Sequence, residues 1–458
     1  MSNAIAKWLR SKSANWLRSF RLWWALRQGN TSQAKRVLKE IQRSDAKLSW
    51  LEELFQNRLA GEPSGQEDRE ARNYREEIAA LKRQVEQLLQ QKEQLEREKV
   101  FDAFEPEATP EILVPNPEFI GFVTDSFQLR DLDEGKIQAT GICDRIFDPF
   151  EANLADFVRE YLSKLTPEKL EHGLQEARED LDKLKRGIDP QYSFDLSPHV
   201  YLMRYFVENV YCNYLAWFLI YKAGLLPAKL NILDIAAGPG TAAYGLALLL
   251  QSSSGFFPLP QMHVSYYSLE QQDRLQFRGL QFWRRYIEAL PNDTNAYFRF
   301  VTDNIFAYER QVKKLPQNFF NFIVISHCFF VDLVSRFKSY ETYRQIFENS
   351  LSPEGYVLLI VQGAKLFISY ETDRKEDLRQ EKDVIAQFLD ELGLTLEWYK
   401  YIDSTGLRTP LGSEFGKFAR ESLPVQKSMS QLQRQYLGVK YNAHYAIDDY
   451  VILAKKKS

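Results

Sequence analysis

The chain has 458 residues, of which 45% are hydrophobic and 26% are charged, as is usual for globular proteins with a large core. Its three cysteines and five histidines are scattered. That sparse spacing excludes a disulfide framework, predicts no metal site and favours a reducing, cytoplasmic compartment. No apolar run is long enough to cross a bilayer, and no secretory signal opens the chain.

The first predicted element is an amphipathic helix at about residues 4–27, within a basic, tryptophan-rich helical region that extends over residues 1–60. Residues 1–39 contain nine lysines or arginines and no acid. In the helix, Trp8, Trp16 and Trp23 share one face and the basic side chains share the other. We expect residues 1–28 to lie in a membrane interface, dock on a partner, pack on the protein's own body or direct the chain to an organelle.

A short heptad pattern occupies residues 66–100. Isoleucine and valine at position a with leucine at position d favour a parallel coiled coil, here a homodimer. The pattern spans only about three heptads, so a solvated single helix or an intramolecular hairpin is the alternative. The positions are Ile78 and Val85 at a, and Leu81, Leu88 and Leu95 at d.

A proline-rich, acidic linker over residues 101–118 follows. Residues 119–197 are predicted to form a mixed, mostly helical domain. Beyond it, residues 198–458 alternate between strand-like and helical patterns, which predicts an α/β domain with a parallel sheet.

The most informative segment is LNILDIAAGPGT, residues 230–241. It reads as a buried strand with a carboxylate at Asp234, then a turn of small residues, then a helix that Thr241 is predicted to cap. Small residues at Ala236, Gly238 and Gly240 let a ligand approach the backbone closely. Such turns bind nucleotides, and the strand-end acid favours S-adenosylmethionine (SAM) over a dinucleotide.

The next strands end in further polar residues. Glu270 follows the second strand, where a carboxylate can accept hydrogen bonds from two ribose hydroxyls. Asp303 and Asn304 follow the third strand and are predicted to face the adenine. Ser326 ends the fourth strand and is assigned to cofactor binding, and the adjacent His327 is a candidate general base or a packing histidine.

These motifs, taken in order, resemble the class I (Rossmann-like) SAM-dependent methyltransferases. Ala236 stands where the first glycine is usual, and residues 351–360 resemble the turn and fifth strand of that family. The resemblance implies a seven-stranded sheet whose last strand, residues 450–454, is antiparallel. It also implies SAM as the cofactor.

The segment of about 404–446 is longer than the resemblance requires. It combines basic and aromatic residues, so it is either a solvated lid or a nucleic-acid contact. Its relevant residues are Arg408, Arg420, Arg434, Lys440, Tyr436 and Tyr441.

The sequence therefore predicts a SAM-dependent methyltransferase whose acceptor, a small molecule, RNA or a protein, it does not specify. One alternative is a non-catalytic assembly or scaffold protein of this fold, similar to the ribosomal small-subunit methyltransferase-like proteins at residues 201–205 and at the turn. Another is a dinucleotide oxidoreductase, because Gly238, Gly240 and Ala243 match G-x-G-x-x-A.

Overall fold

The computed structural model describes residues 112–186, 190–257, 262–290, 294–302, 305 and 315–457, together with Arg36 and Lys39. The chain divides into two compact units, Met1–Ala108 and Thr109–Ser458. The predicted amphipathic helix, the heptad segment and residues 101–111 of the predicted linker lie outside the described residues. Arg36 and Lys39 are helical and exposed.

The second unit begins with a helix, a hairpin and two longer helices. The first helix starts where the side chain of Asn116 accepts a hydrogen bond from the Phe119 N–H at 2.9 Å, satisfying one of the free donors of its first turn. The elements are α1 Pro117–Ser126, β1 Leu129–Asp131, β2 Lys136–Ala139, α2 Asp144–Leu162 and α3 Pro167–Leu181.

A continuous helical stretch then leads to the central sheet. It consists of α4 Ser197–Tyr201, a π-helical turn at Leu202–Phe206 and α5 Val207–Lys222. π-Helical turns inside longer helices occur frequently at functional sites, because they shift the phase of the residues that follow.

The remaining elements alternate in the way the sequence predicts. They are β3 Lys229–Ile235, α6 Thr241–Ser253, β4 Met262–Glu270, α7 Asp273–Tyr286, β5 Thr294–Thr302, β6 Phe320–Ser326, α8 Leu333–Ser350, β7 Leu351–Gln362, α9 Gly363–Ser369, α10 Leu378–Glu391, β8 Leu394–Asp403, α11 Phe415–Ser422, α12 Lys427–Leu437 and β9 Asp448–Lys456.

The nine strands of the described residues form one sheet in the order β1-β2-β8-β9-β7-β6-β3-β4-β5. Strands β5, β4, β3, β6 and β7 are parallel and adopt the first five positions of a doubly wound sheet. Strand β9 lies antiparallel between β7 and β8, which confirms the predicted antiparallel last strand.

The sheet has two more strands than the predicted seven. The extra pair, β1 and β2, comes from residues 119–197, and β2 pairs in parallel with β8 through Lys136 opposite Tyr401. Sequence patterns reveal short strands of this kind but not a partner hundreds of residues away, so the seven-strand prediction was two strands short.

Each face of the sheet is covered by its own apolar layer, because successive strand residues point to opposite faces. On β3, Ile232 contacts the layer that contains Trp217 of α5, whereas Leu233 contacts the layer that contains Tyr343 of α8. The first layer also includes buried residues of α2 and α3, so residues 119–197 share a core with the sheet. Among the described helices, none is both long and apolar enough to cross a bilayer.

Candidate functional site

The polar residues predicted to bind the cofactor meet at the carboxyl edge of the sheet. In the sheet, Ile235 of β3 lies opposite Leu269 of β4 and Ile325 of β6. The residues that follow these positions therefore emerge side by side. Open α/β sheets bind ligands at this edge, beside the strand at which the order of the strands reverses.

The turn after β3 contains three residues in the left-handed region. Ala236, Gly238 and Gly240 have φ of 55°, 56° and 89°. A non-glycine residue in this region costs about 1–2 kcal/mol, so Ala236 holds a strained conformation that the usual glycine would adopt freely. A Cβ placed on Gly240 would meet no atom within 4 Å, so the backbone angle, rather than crowding, requires glycine there. Open space thus faces the turn.

Gly240 is also the residue that precedes helix α6. No side chain accepts a hydrogen bond at this cap, so the prediction that Thr241 caps the helix was wrong; Thr241 is instead the first helical residue. Among the described residues, the N–H groups of Thr241 and Ala242 at the start of α6 have no hydrogen-bond partner, so they can bind a ligand at the turn.

Glu270 fixes the other side of the turn. Its Oε2 accepts a hydrogen bond from the Gly238 N–H at 2.7 Å, and its Oε1 accepts one from the Gln272 N–H at 2.8 Å. The side chain is 7% exposed, and burial raises its pKa. Each oxygen retains a lone pair for a further donor, as a ribose diol would require.

Asp234 lies deeper in the same edge, with an exposed fraction of 1%. The hydroxyl of Tyr266 donates to its Oδ2, whereas its Oδ1 is buried without a hydrogen-bond partner among the described residues. Burial raises the pKa of Asp234 to about 7. A buried carboxylate oxygen without a donor is costly, and an ammonium group would satisfy it.

A chain of hydrogen bonds crosses the end of β6. Asn213 Nδ2 donates to Ser326 Oγ at 3.1 Å, Ser326 Oγ lies 3.0 Å from His327 Nδ1, and His327 Nε2 lies 3.0 Å from Asp449 Oδ1. Because the Asn213 amide donates a hydrogen bond to Ser326 Oγ, we assign the Ser326 hydroxyl as the donor to His327 Nδ1. His327 Nε2–H then donates to Asp449. His327 has φ of 61°, a strained angle of the kind found at functional sites.

Cys212 of α5 lies against this chain. Its Sγ, a ring nitrogen of His327 and a carboxylate oxygen of Asp449 lie within 4.8 Å of one another. The sequence prediction of no metal rested on spacing, and spacing cannot reveal side chains that three separate elements bring together; the prediction stays untested.

Sequence reasoning missed Tyr201 of the long helical stretch as a residue that borders the turn. Tyr201 Oη accepts a hydrogen bond from Asn209 Nδ2 at 3.0 Å, and it lies 4.0 Å from where a Cβ on Gly238 would be. Burial raises the pKa of Tyr201. Tyr201, Asn209 and Asn213 recur at spacings of eight and four residues, and this spacing is the signal that could have identified them. Asp303 and Asn304, the two residues predicted to face the adenine, lie outside the described part of the chain.

The segment 404–446 separates into two parts. Arg408 is 6% exposed and belongs to what we call the Arg408 cluster, formed with Asp133, Glu381, Tyr399 and Tyr450. Its Nη1 donates to Asp133 Oδ2 at 2.7 Å, and its Nε donates to Glu381 Oε2 at 2.9 Å. This arginine is therefore enclosed by the fold, which removes it from the predicted nucleic-acid contact.

The other part of the segment lines an open cleft of about 1380 Å³. Helices α3, α5, α11 and α12 and the loop that leads to β9 form its walls. The charged and aromatic residues that line this basic cleft are Arg178, Asp182, Arg204, Tyr205, Glu208, Phe415, Arg420, Arg434, Lys440, Tyr441 and His444.

No family model matches the chain, and no curated protein matches it in sequence. Among solved structures, it is similar to a SAM-dependent methyltransferase from Methanosarcina mazei at 15% identity and a TM-score of 0.29, over 51% of this chain and 94% of that chain. It is also similar to coclaurine N-methyltransferase bound to N-methylheliamine and SAH, at 11% identity and 0.32, over 68% and 95%. The trans-methyltransferase CalH in complex with SAH matches at 14% and 0.28, over 72% and 99%.

The strand order and the turn at the carboxyl edge agree with the features that the sequence predicts. Strand β3 is the middle one of five parallel strands, and the last strand is antiparallel between two neighbours. The chain has the fold of the class I SAM-dependent methyltransferases.

Proposed function

We propose that the protein is a SAM-dependent methyltransferase. The observation that carries the proposal is the pairing of an open, glycine-containing turn with two buried carboxylates, Asp234 and Glu270, on neighbouring strands. SAM carries two positive charges, an ammonium and a sulfonium, together with a ribose diol. The two carboxylates match those charges and hydroxyls.

SAM supplies a methyl group on a sulfonium: the C–S bond breaks, its electron pair stays on sulfur, and a lone pair of the acceptor forms the new bond to carbon. The contribution of the protein is alignment, because holding the acceptor in line with that bond supplies much of the rate.

The two carboxylates and the turn have separate roles in that alignment. Glu270 holds the Gly238 N–H and accepts the ribose hydroxyls, while the unpartnered Oδ1 of Asp234 accepts the ammonium of the amino-acid end. The free N–H groups of Thr241 and Ala242 at the start of α6 suit the carboxylate of that same end.

His327 is positioned to accept a proton from the acceptor group through Ser326. When the acceptor group carries a proton, Ser326 Oγ can take it while passing its own proton to His327 Nδ1, and Asp449 stabilises the charged ring through Nε2. Ser326 thus acts in our proposal as a relay beside the cofactor.

Calorimetric titration of SAM, SAH and NAD into the full chain tests the proposal. We expect SAM and SAH to bind, NAD not to bind, and Glu270→Ala to weaken SAM binding by about 100-fold, because two charge-assisted hydrogen bonds are lost. Glu171→Ala, an exposed carboxylate of α3, is the matched control and should bind as the wild type does.

Two outcomes contradict the proposal. Binding of NAD without SAM would establish the dinucleotide alternative. If none of the three ligands binds to the folded chain, the scaffold alternative gains the support.

A further inference from the structure

The basic cleft contains more positive charge than the fold neutralises. Five cations line it, Arg178, Arg204, Arg420, Arg434 and Lys440, against the two carboxylates Asp182 and Glu208. Among the described residues, only Arg204 of these cations forms an ion pair, with Asp182 Oδ1 at 3.0 Å. The other cations face the cleft without a carboxylate, so an anionic ligand would find them unpaired.

The negative charge in the cleft is smaller than the number of its carboxylates implies. Burial and the nearby charge of Asp449 raise the pKa of Glu208 to about 8, although a hydrogen bond from Gln426 Nε2 at 3.2 Å opposes the shift. At neutral pH Glu208 is therefore mostly protonated. Burial and the adjacent Arg420 lower the pKa of His444, so this imidazole is neutral and adds no charge.

Aromatic surface lies among these cations. Tyr441 is 69% exposed, and Phe415 is 37% exposed. A backbone-following row of cations interleaved with exposed rings is the arrangement that binds single-stranded nucleic acid, whose phosphates pair with the cations while its bases stack on the rings. The cleft, at about 1380 Å³, also exceeds the roughly 300–1,000 Å³ typical of small-molecule pockets.

The cleft is connected to the candidate cofactor site on two sides. Tyr205 lines the cleft, and its ring lies 5.7 Å from that of Tyr201, which borders the Gly238 turn. Glu208 lines the cleft as well, and Asp449, whose charge acts on it, holds His327. A strand in the cleft would thus lie against Tyr205 and Glu208, the residues that stand between the cleft and the turn and between the cleft and the proton relay.

We infer that the basic cleft binds single-stranded nucleic acid and presents one nucleotide as the methyl acceptor. The acceptor role rests on the proposed function, whereas the binding itself does not. A ring nitrogen or ribose oxygen of that nucleotide gains the methyl group, the electron pair of the broken C–S bond stays on sulfur, and a proton on the acceptor leaves through Ser326 or to solvent.

The test is fluorescence anisotropy of a fluorescein-labelled 12-nucleotide oligouridylate with the full chain, at several KCl concentrations. The triple variant Arg178→Gln, Arg420→Gln, Lys440→Gln should lower the affinity about tenfold or more. Three lost phosphate contacts should also reduce the slope of log affinity against log salt by about 2. The matched control is Arg284→Gln, Lys375→Gln, Arg379→Gln, which removes three exposed cations outside the cleft and should change neither quantity.

A second variant separates stacking from charge. Tyr441→Ala should weaken binding by about tenfold, while the salt slope stays the same, because stacking involves no counterion release. A further arm uses poly-L-glutamate as a competitor. If it displaces the oligonucleotide equally well at equal charge and Tyr441→Ala has no effect, the cleft binds an acidic protein segment and our inference is wrong.

The two proposals fail in different ways. If wild type binds SAM but the cleft triple variant and the control triple variant bind oligouridylate equally, the cleft inference is overturned and the proposed function stands. If oligouridylate binding depends on the cleft but SAM does not bind, the binding inference stands and the methyltransferase proposal fails. The cleft variant should retain wild-type affinity for SAM, which also shows that it is folded.

Discussion

The Arg408 cluster and the turn after β3 both contain buried polar side chains, but they neutralise charge differently. In the cluster, Arg408 donates hydrogen bonds to the carboxylates of Asp133 and Glu381, and its hydrogen bonds to Asp133 lower the pKa of that residue to about 2. In the turn, Asp234 keeps an oxygen without a donor, and its pKa is raised to about 7. A closed network of this kind stabilises a fold, whereas a buried charge with an open position is satisfied only when a ligand arrives.

Arg408→Ala gives the largest expected effect. It leaves the buried carboxylate of Glu381 and the partly exposed carboxylate of Asp133 without their guanidinium, and breaking a buried pair such as Arg408–Glu381 costs about 3–5 kcal/mol of unfolding free energy. Urea denaturation measures the loss. The control Arg434→Ala removes an exposed cation of the basic cleft and should change stability by less than about 0.5 kcal/mol. Equal losses in the two variants would contradict the distinction between enclosed and ligand-facing arginines.

Gly279→Ala tests how the turn is held in place. A Cβ on Gly279 of α7 would lie 2.0 Å from the Pro239 carbonyl oxygen, so the turn has to move. We expect a loss of about 3 kcal/mol and weaker SAM binding, since the Gly238 N–H shifts away from Glu270. Gly121→Ala in α1 is the matched control, because its Cβ would meet nothing within 4 Å. Unchanged stability in Gly279→Ala would show that α7 does not fix the turn.

Asp234→Asn gives the smallest effect, and one of opposite sign. The folded-state pKa of Asp234, about 7, lies above the ordinary aspartate value of 3.8. The folded protein therefore binds the proton more tightly and loses stability as pH rises from about 4 to about 7. Asparagine removes this contribution. The stability of the variant relative to wild type should therefore increase by about 2 kcal/mol between pH 5 and pH 8 in urea denaturation. A relative stability that does not change with pH would mean that Asp234 is not destabilised when ionised.

The parallel core and the turn could be predicted because their signals are local. A buried strand, a carboxylate and small residues occur within twelve positions at 230–241, and Glu270 follows a strand of the same kind. The sequence could not predict that Tyr266 donates to Asp234 or that Asp449 holds His327, because both contacts depend on the register between strands.

Arginines illustrate the same limit. In sequence, Arg408 and Arg434 belong to one basic and aromatic segment, and both were candidates for a nucleic-acid contact. The fold encloses the first between Asp133 and Glu381, which come from distant elements, and leaves the second at the cleft. Whether a cation is neutralised internally depends on such long-range pairing, which composition does not encode.

The position of β9 has a consequence for biosynthesis. Strand β9 pairs with both β7 and β8, yet it follows both in sequence, so β7 leaves the ribosome with one edge open. About 85 residues separate the end of β7 from the start of β9, which at roughly 5–20 residues per second leaves that apolar edge unpaired for about 4–17 s. Strands β8, β2 and β1 also wait for β9 before they can join the sheet. The nascent chain should therefore depend on chaperones during this interval, when an open strand edge can recruit other chains.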